Sequence, residues 1–367
     1  MKILDNIVRL IVGALFIFSG LIKLNDPIGT QIKLEEYFEV FAVDFAGFFV
    51  YLMPAALTIA MLLIVLEVVL GIAVLLNYQM QKTTKVLLLL ITFFTFLTFY
   101  SAYFDKVTDC GCFGDAIPLT PWESFTKDLI LVVLIGYLFA RRRVQQVIIN
   151  KRWAAYILAG ATGLSFMFGI IAIRHLPFID FRPYAIGDNI PANMIPAEQP
   201  VFAYVFIKDG KEVKSATYLS ADDGYEYASV EVVNLDKTIA KITDYNIWNE
   251  EEGDFTQRSF EGVKMFFISY DILDASLKNI EETTKLIAQI EPYVTTIGLT
   301  SSVGKDFEEF RHEQQLAIPY FFADATVLKA MIRSNPGMIL VKDGTVLGKW
   351  HYNDVPEKEE VLNLLVN

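Results

Sequence analysis

The apolar stretch Ile7–Leu24, IVRLIVGALFIFSGLIKL, decides what kind of fold this sequence can adopt. It contains two charged residues, Arg9 and Lys23, and both lie near its ends. A stretch of this length and composition can cross the hydrocarbon core of a bilayer as an α-helix. It has no cleavage site of small residues and more apolar stretches follow it, so we expect a retained membrane helix and not a removed signal peptide.

Four further stretches share this character: Val50–Leu76, Val86–Phe104, Trp122–Ala140 and Trp153–Ile173. The third of these is the weakest, because its apolar part, Leu129–Ala140, reaches full length only if Trp122–Lys127 belongs to the same helix. Any one stretch could be a buried helix of a soluble protein. Five in succession with little polar sequence between them predict a membrane α-helical bundle over residues 1–175.

The short loops predict how this bundle is oriented. Residues 77–85 and 141–152 contain Lys and Arg but no acidic residue, whereas residues 25–49 and 105–121 are rich in Asp and Glu. Basic loops stay in the cytoplasm. We therefore expect a multi-pass membrane protein with a cytoplasmic amino terminus. The cysteine-containing loop and the whole carboxyl-terminal part would then be extracytoplasmic.

Charge separates the two parts of the chain. Residues 1–175 have a net charge of +2 (14 Lys+Arg, 12 Asp+Glu), and residues 176–367 have a net charge of −14 (17 against 31). The acidic part has no basic patch that could neutralise phosphates, which excludes nucleic acid as a partner. Within it, residues 176–200 are rich in Pro, Asn and Gly and indicate a linker. Residues 201–367 are expected to form a soluble domain that begins with a β-hairpin turning at Asp209–Gly210.

The stretch DCGCFGD, Asp109–Asp115, contains the chain's only two cysteines, Cys110 and Cys112. Residues spaced i and i+2 can approach closely enough for a disulfide, and Gly111 between them relaxes the backbone. So small a ring would be strained and easily reduced, and it would constrain little chain entropy, which favours a redox pair over a structural staple. The alternative is a pair that only packs a turn. Two thiols with three distant histidines indicate no metal site.

Glu67 lies in the middle of the second apolar stretch, where a carboxylate is costly and suggests a functional site. It could pair with Lys23, or be protonated and bonded to Ser19, Thr92 or Tyr100. Two interpretations stay open. Glu67 either handles protons beside a quinone or acts as a polar clamp between helices.

The amino-terminal 175 residues resemble the DoxX and MauE group of bacterial membrane proteins. The resemblance rests on GALFIFSGLIKLNDP (Gly13–Pro27), LEVVLGIAVLLN (Leu66–Asn77) and CGCFGD followed by PLTPW. It implies a four-helix membrane core in a bacterial inner membrane, with the extracytoplasmic parts of the chain in the periplasm. It also implies redox chemistry, since DoxX-type proteins are associated with quinone-linked sulfur oxidation and MauE with maturation of a disulfide-rich enzyme of methylamine utilisation. The matched positions of chemical interest are Cys110–Gly114. A quinone is the candidate cofactor that the resemblance implies, and the residues themselves establish no cofactor.

Residues 245–367 resemble a thioredoxin-like domain, with the element order β-α-β-α-β-β-α. FFIS (Phe266–Ser269) matches the strand before that family's active-site loop, and SNPGMILVKDGTVLGKW places Pro336 at the family's cis proline. The loop that would hold C-x-x-C reads YDILDAS, Tyr270–Ser276, and has no cysteine. The resemblance therefore implies the fold without its thiol chemistry. Asp274 or Ser276 is the expected N-cap of the following helix.

Together these observations predict a four-helix DoxX/MauE-like membrane core plus a fifth span, followed by a soluble α/β thioredoxin-like domain. The predicted function is thiol–disulfide or quinone-linked electron exchange, or support of disulfide maturation, through Cys110 and Cys112. The expected partners are membrane lipid, a quinone and an extracytoplasmic client protein. The alternative is a non-enzymatic, membrane-anchored assembly protein that binds its partner through the acidic part.

Overall fold

The computed structural model describes residues 2–107, 111, 113–142 and 148–366, without the side chains of residues 2, 235 and 236. The chain forms two compact units, Met1–Arg182 and Pro183–Asn367. Each unit is described by itself below.

The first unit is helical. Its helices are α1 (Lys2–Asn25), α2 (Pro27–Asp44), α3 (Ala56–Leu75), α4 (Met80–Phe104), α5 (Pro121–Arg141) and α6 (Lys151–Arg174), with short 3-10 segments at Gly47–Ala55 and Gly114–Ala116. Four segments of the described chain are long and apolar enough to span a membrane: Ile3–Asn25, Gly47–Leu75, Met80–Phe104 and Lys151–Arg174. The unit is therefore a multi-pass membrane unit. Helix α5 has the length of a span but carries charges in its first half, so the fifth crossing stays a prediction.

Helix α2 lies where the sequence suggested an acidic loop. The Asp26 side chain accepts a hydrogen bond from the Gly29 backbone N–H (2.9 Å), and Pro27 occupies the first helical position, which together begin the helix. Its buried residues follow the i, i+3, i+4, i+7 spacing of an amphipathic helix: Leu34, Tyr37, Phe38 and Phe41. The glutamates between them obscured this periodicity in the sequence.

Helices α1, α3, α4 and α5 share one apolar core. It contains Val8, Val12, Phe16, Leu70, Val74, Leu87, Leu90, Ile91, Leu131, Ile135 and Leu138. Glycines bring α1 and α3 close together, since a Cβ atom added to Gly71 would lie 2.9 Å from the carbonyl oxygen of Gly13 and 2.8 Å from the Ile17 side chain. Such close approach through small residues is a common basis of helix association in membranes.

The second unit contains two sheets. Its strands are β1 (Phe202–Lys208), β2 (Lys211–Ser215), β3 (Glu226–Val232), β4 (Trp248–Asn249), β5 (Gly253–Asp254), β6 (Val263–Ser269), β7 (Thr295–Thr300), β8 (Tyr320–Phe322), β9 (Gly337–Lys342) and β10 (Thr345–His351). Its helices are α7 (Ile190–Asn193), α8 (Leu235–Thr238), α9 (Ile280–Ile290), α10 (Gly304–Glu313), α11 (Ala325–Met331) and α12 (Lys358–Val366). The unit is thus a mixed α/β domain.

The smaller sheet is antiparallel with the order β2-β1-β3. The β1–β2 hairpin turns at Asp209 and Gly210, whose φ angles are +52° and +73°, as the sequence predicts. Strand β3 was not predicted from the sequence. It pairs with the other side of β1, with a register shift between Val205 and Phe206.

The larger sheet has the order β10-β9-β6-β7-β8-β4-β5. Strands β6, β7 and β8 are parallel, and β9 runs antiparallel to both β6 and β10. Apolar residues of α9, α10 and α12 share one core with β6 and β9, including Ile287, Phe307, Val361, Phe267 and Leu340. The Asn335–Pro336 peptide bond, immediately before β9, is cis.

Two further local expectations differ from the structure. Part of the expected linker is attached to the sheet, because Gly187 and Ile190 donate backbone hydrogen bonds to carbonyl groups beside and within β10, each at 2.8 Å. This pairing covers an edge strand that would otherwise be open. The N-cap expected at Asp274 or Ser276 is wrong. Helix α9 begins at Ile280, because the Ser276 N–H is bonded to the Asn335 carbonyl (2.9 Å) and is held outside the helix.

Candidate functional site

The cysteine loop joins α4 to α5. Cys110 and Cys112 themselves lie outside the described residues, but Gly111 between them is described. Its φ angle is +63°, in the left-handed region that favours glycine. A Cβ atom at this position would also lie 3.3 Å from the Lys33 side chain of α2. The residue between the two cysteines is therefore restricted to glycine by backbone conformation and tight space together.

The residues after Cys112 rest on α1. The Phe113 ring lies 5.7 Å from the Phe18 ring, and a Cβ atom on Gly114 would be 3.5 Å from Ile22. Phe18 and Ile22 are one turn apart and so lie on the same face of α1. The Lys127 ammonium of α5 lies 4.8 Å from the centre of the Phe113 ring. Phe113 and Gly114 are thus held between the carboxyl-terminal end of α1 and the amino-terminal part of α5.

The start of the loop is held by α2. Lys106 and the Tyr100 hydroxyl both donate hydrogen bonds to the Asp44 carboxylate at the end of α2. Hydrogen bonds from Lys106 and Tyr100 lower the pKa of Asp44 below its ordinary value. Val107, the last described residue before the cysteines, is fully buried and packs in a cluster with Tyr37. Both ends of the loop are therefore fixed to the helical bundle.

Glu67 forms a buried ion pair across α1 and α3. The Lys23 ammonium lies 2.6 Å from Glu67 Oε1, and the Ser19 hydroxyl donates to Glu67 Oε2 at 3.0 Å. The Lys23 and Glu67 side chains are only 10% and 3% exposed. Of the other suggested partners, Thr92 bonds to a backbone carbonyl of its own helix, and Tyr100 bonds to Asp44.

This arrangement bears on the two interpretations of Glu67. A buried charge is tolerated when it is paired and its remaining lone pairs are satisfied, and Glu67 has a cation on one oxygen and a hydroxyl on the other. The geometry matches a polar clamp between two helices. A proton-handling role would require Lys23 to release the carboxylate, and it remains a hypothesis.

A second buried carboxylate, Asp128 on α5, was missed in the sequence analysis. It is 1% exposed; Oδ2 accepts from the Thr98 hydroxyl at 3.1 Å, and Oδ1 lies 3.0 Å from the Lys127 ammonium. Because Lys127 also lies over Phe113, Asp128 is connected to the cysteine loop. Ser124, one turn earlier, is fully buried, and within the described part of the chain its hydroxyl has no hydrogen-bond partner. The sequence feature that could have indicated this site is the Lys127-Asp128 pair inside the fourth apolar stretch.

The loop Tyr270–Ser276 of the second unit contains no cysteine and is held in place by a hydrogen-bond network. The Ser269 hydroxyl donates to the Asn335 side-chain oxygen (2.9 Å), and the Asn335 amide donates to the Asp271 carbonyl (2.6 Å). Asn335 precedes Pro336, so the residues beside the cis peptide bond fasten this loop to the end of β6. The arrangement can position a backbone, and it provides no nucleophilic sulfur.

Comparison with known proteins adds evidence on the first unit. Residues 1–141 match the family described as "Methylamine utilisation protein MauE". Protein TlpB of Flavobacterium psychrophilum is 28% identical over 135 residues, which are 36% of this chain and 35% of that protein. The match thus spans about a third of the length of this curated relative. No solved structure matches. Residues 1–141, which include Glu67 and the cysteine loop, are therefore similar to the MauE family.

Proposed function

We propose that this protein supports thiol–disulfide exchange at the extracytoplasmic face of a bacterial inner membrane, with Cys110 and Cys112 as its redox pair. The observation that carries the proposal is the constrained loop around the two cysteines. Gly111 has a positive φ, and the neighbouring residues are fixed to α1, α2 and α5. The MauE-type domain over residues 1–141 agrees with a redox-related role in a membrane.

The proposed chemistry is a two-electron cycle. Oxidation of the reduced pair breaks two S–H bonds, forms one S–S bond and releases two electrons and two protons. A membrane quinone would be the oxidant of this pair, since it would accept both electrons and both protons and leave as a hydroquinone. A client thiolate then attacks the disulfide and forms a mixed disulfide, and a second client thiol displaces Cys110 or Cys112, so that the client leaves oxidised and the pair is reduced again.

The surroundings of the pair suit a slow, partner-dependent exchange. Asp109 and Asp115 flank the cysteines in sequence, and nearby negative charge disfavours the thiolate. Positive charge favours the thiolate, and the Lys127 ammonium lies against Phe113, the residue after Cys112. We infer that Lys127 offsets part of the repulsion from these acids, and that Glu67 contributes mainly by fixing α1, on which the loop rests.

The second unit is proposed to be a thioredoxin-like domain that has lost its thiols. The parallel strands β6, β7 and β8, the antiparallel β9 and β10, and the cis bond before Pro336 support this assignment. Since this unit has no cysteine, its role would be to bind a client, while the electron exchange takes place in the membrane unit. The acidic loops suggest that both the cysteines and this unit are extracytoplasmic.

The decisive experiment traps the exchange intermediate in cells. A Cys112→Ser variant should accumulate a mixed disulfide with its client on a non-reducing gel, and the Cys110→Ser/Cys112→Ser variant is the matched control. In nanodiscs, quantitative thiol alkylation should show that added quinone oxidises the pair and added hydroquinone does not. A pair that stays reduced under every condition, with normal client oxidation by the double variant, contradicts the proposal.

One observation favours a second candidate function. The loop Tyr270–Ser276, which corresponds to the active-site loop of the proposed thioredoxin-like fold, is closed by Asn335 and contains no cysteine. A membrane-anchored assembly protein that binds its partner through the acidic unit is therefore the alternative. It predicts that the double cysteine variant retains full function, whereas deletion of residues 183–367 abolishes it.

A further inference from the structure

An aromatic cleft lies beside the small sheet of the second unit. It has a volume of about 640 Å³ and is formed by the segment Tyr218–Tyr227. Phe206 of β1, which is fully buried, packs against the aromatic side chains of this segment and meets Tyr218 and Tyr227 with ring centroids 5.4 and 6.2 Å apart. A short 3-10 turn, Ala221–Asp223, lies within the segment and ends at Gly224, whose φ is +79°.

Two tyrosines of this cleft are open to solvent. Tyr218 and Tyr227 are 65% and 48% exposed, and their rings are stacked with centroids 6.0 Å apart and an interplanar angle of 27°. Large aromatic side chains left exposed side by side are a mark of a binding surface. The electron-rich faces of such rings attract cations.

The charge around the cleft also favours a cation. Glu226 is among the lining residues, Asp222 and Asp223 belong to the adjoining 3-10 turn, and the segment Tyr218–Tyr227 contains no Lys or Arg. All three acidic residues are exposed. Residues 176–367 as a whole have a net charge of −14 (17 Lys+Arg, 31 Asp+Glu). Negative potential of this kind steers positively charged partners toward the surface.

The same cluster already holds one cation of its own chain. The Lys208 ammonium lies 4.1 Å from the centre of the Tyr225 ring and donates a hydrogen bond to the Asp223 carbonyl at 2.9 Å. Tyr225 packs against Phe206 at 6.0 Å, so this occupied ring belongs to the same aromatic group. A lysine is thus bound here by the Tyr225 ring and the Asp223 carbonyl oxygen, while the rings of Tyr218 and Tyr227 remain exposed.

We propose that this cleft binds a lysine or arginine side chain of a partner polypeptide, held over Tyr218 and Tyr227 and neutralised by Glu226. The site is independent of the cysteine pair. If both exist, the cleft would recruit basic client segments to the acidic unit, but binding at the cleft requires no thiol.

The test uses the full chain in nanodiscs with both cysteines replaced by serine, which removes any contribution from the exchange reaction. The probe is a fluorescent Gly-Ser peptide with trimethyl-lysine at alternate positions, measured by anisotropy. Matched peptides carry the neutral tert-butyl isostere or glutamate. The trimethyl-lysine peptide should bind, while the neutral and acidic peptides bind at least tenfold more weakly.

Variants locate the site. Tyr218→Ala and Tyr227→Ala should each weaken binding about fivefold, Tyr218→Phe should retain it, and Glu226→Gln should reduce both affinity and its dependence on salt. Tyr293→Ala, which removes a 57%-exposed tyrosine elsewhere in this unit, is the control and should change nothing. Circular dichroism verifies that each variant is folded.

The inference is overturned if the neutral peptide binds as well as the cationic one, or if Tyr218→Ala and Tyr227→Ala bind like Tyr293→Ala. Binding of a neutral oligosaccharide that competes with the cationic peptide would instead identify a saccharide site. Self-association that the peptide disrupts would identify a second copy of the chain as the occupant. Either outcome replaces the proposed partner.

Discussion

Two helix pairs of the membrane unit each bury a carboxylate, but they stabilise it in different ways. The α1–α3 pair and the α4–α5 pair each bury one carboxylate, Glu67 and Asp128, and each supplies it with one lysine and one hydroxyl group. In α1–α3 the lysine comes from the facing helix. In α4–α5 it is Lys127, the residue directly before Asp128 in the same helix.

The difference determines what each carboxylate can do. The ion pair of Glu67 ties two helices together, and the Lys23 side chain, 10% exposed, has little access to water. The Lys127 side chain is 22% exposed and divides its contacts between Asp128 and the Phe113 ring of the cysteine loop. The first arrangement therefore holds the bundle, and the second connects the bundle to the proposed redox loop.

The largest expected effect follows from breaking the tighter pair. Glu67→Gln should destabilise the unit by about 3 kcal/mol, because it leaves the Lys23 charge buried without its partner. The double change Lys23→Met/Glu67→Leu removes both charges at similar volume and should recover most of that loss. Reversible SDS unfolding in mixed micelles measures both. An equally large loss in the double variant would show that the pair is not limited to a clamping role.

The glycine contact of α1 and α3 provides the next test. Gly71→Ala places a Cβ atom against the Gly13 carbonyl and the Ile17 side chain, so we expect a loss of about 1–3 kcal/mol from forced separation of the helices. Gly136→Ala in α5 is the matched control, since a Cβ atom there meets nothing within 4 Å. It should be neutral or slightly stabilising through helix propensity. If Gly71→Ala and Gly136→Ala changed the free energy of unfolding equally in the same assay, the close α1–α3 contact would not contribute to stability.

A smaller effect is expected at the α4–α5 pair. Asp128→Asn should cost about 1 kcal/mol, because Lys127 can turn toward water and the Asn oxygen can still accept from Thr98. Thr98→Val, which deletes only the hydroxyl donor, should cost about 0.6 kcal/mol. Both are measured by SDS unfolding beside Glu67→Gln. A loss for Asp128→Asn as large as that for Glu67→Gln would mean that Lys127 is as confined as Lys23.

Long apolar stretches and turn residues made much of the fold predictable. The membrane helices, the hairpin at Asp209–Gly210 and most strands and helices from β6 onward follow from periodicity and glycine-containing turns, whereas β4, β5 and α11 were not predicted. Helix α2 was overlooked because its glutamates resemble those of an exposed loop, although its apolar spacing is helical. Strand β3 has exposed residues along nearly its whole length, so it lacks the alternation that identifies a half-buried strand.

The site was only partly predictable for a different reason. Glu67 stands out as a charge within a long apolar stretch, and its partners Lys23 and Ser19 were among the candidates named from the sequence. Asp128 did not stand out, because it lies near the start of the weakest apolar stretch, where a charged residue is easily taken for part of the helix end. Its hydrogen-bond donor is Thr98, which is distant in sequence and meets it only after α4 and α5 pack together.

The smallest predicted effect concerns the tether at the start of the cysteine loop. Hydrogen bonds from Lys106 and Tyr100 lower the pKa of Asp44 from its ordinary value of 3.8, so this contact stabilises the fold fully above that value and is lost as the pH falls through the lowered pKa. Hydrogen exchange of residues 103–107, corrected for intrinsic rates, should therefore accelerate below about pH 3.8 and stay constant from pH 5 to 7. Asp44→Asn should exchange quickly across the whole range. If acid accelerated the hydrogen exchange of Asp44→Asn by the same amount, the acceleration would come from another titrating group. The loop would then be held chiefly through Phe113 and Lys127.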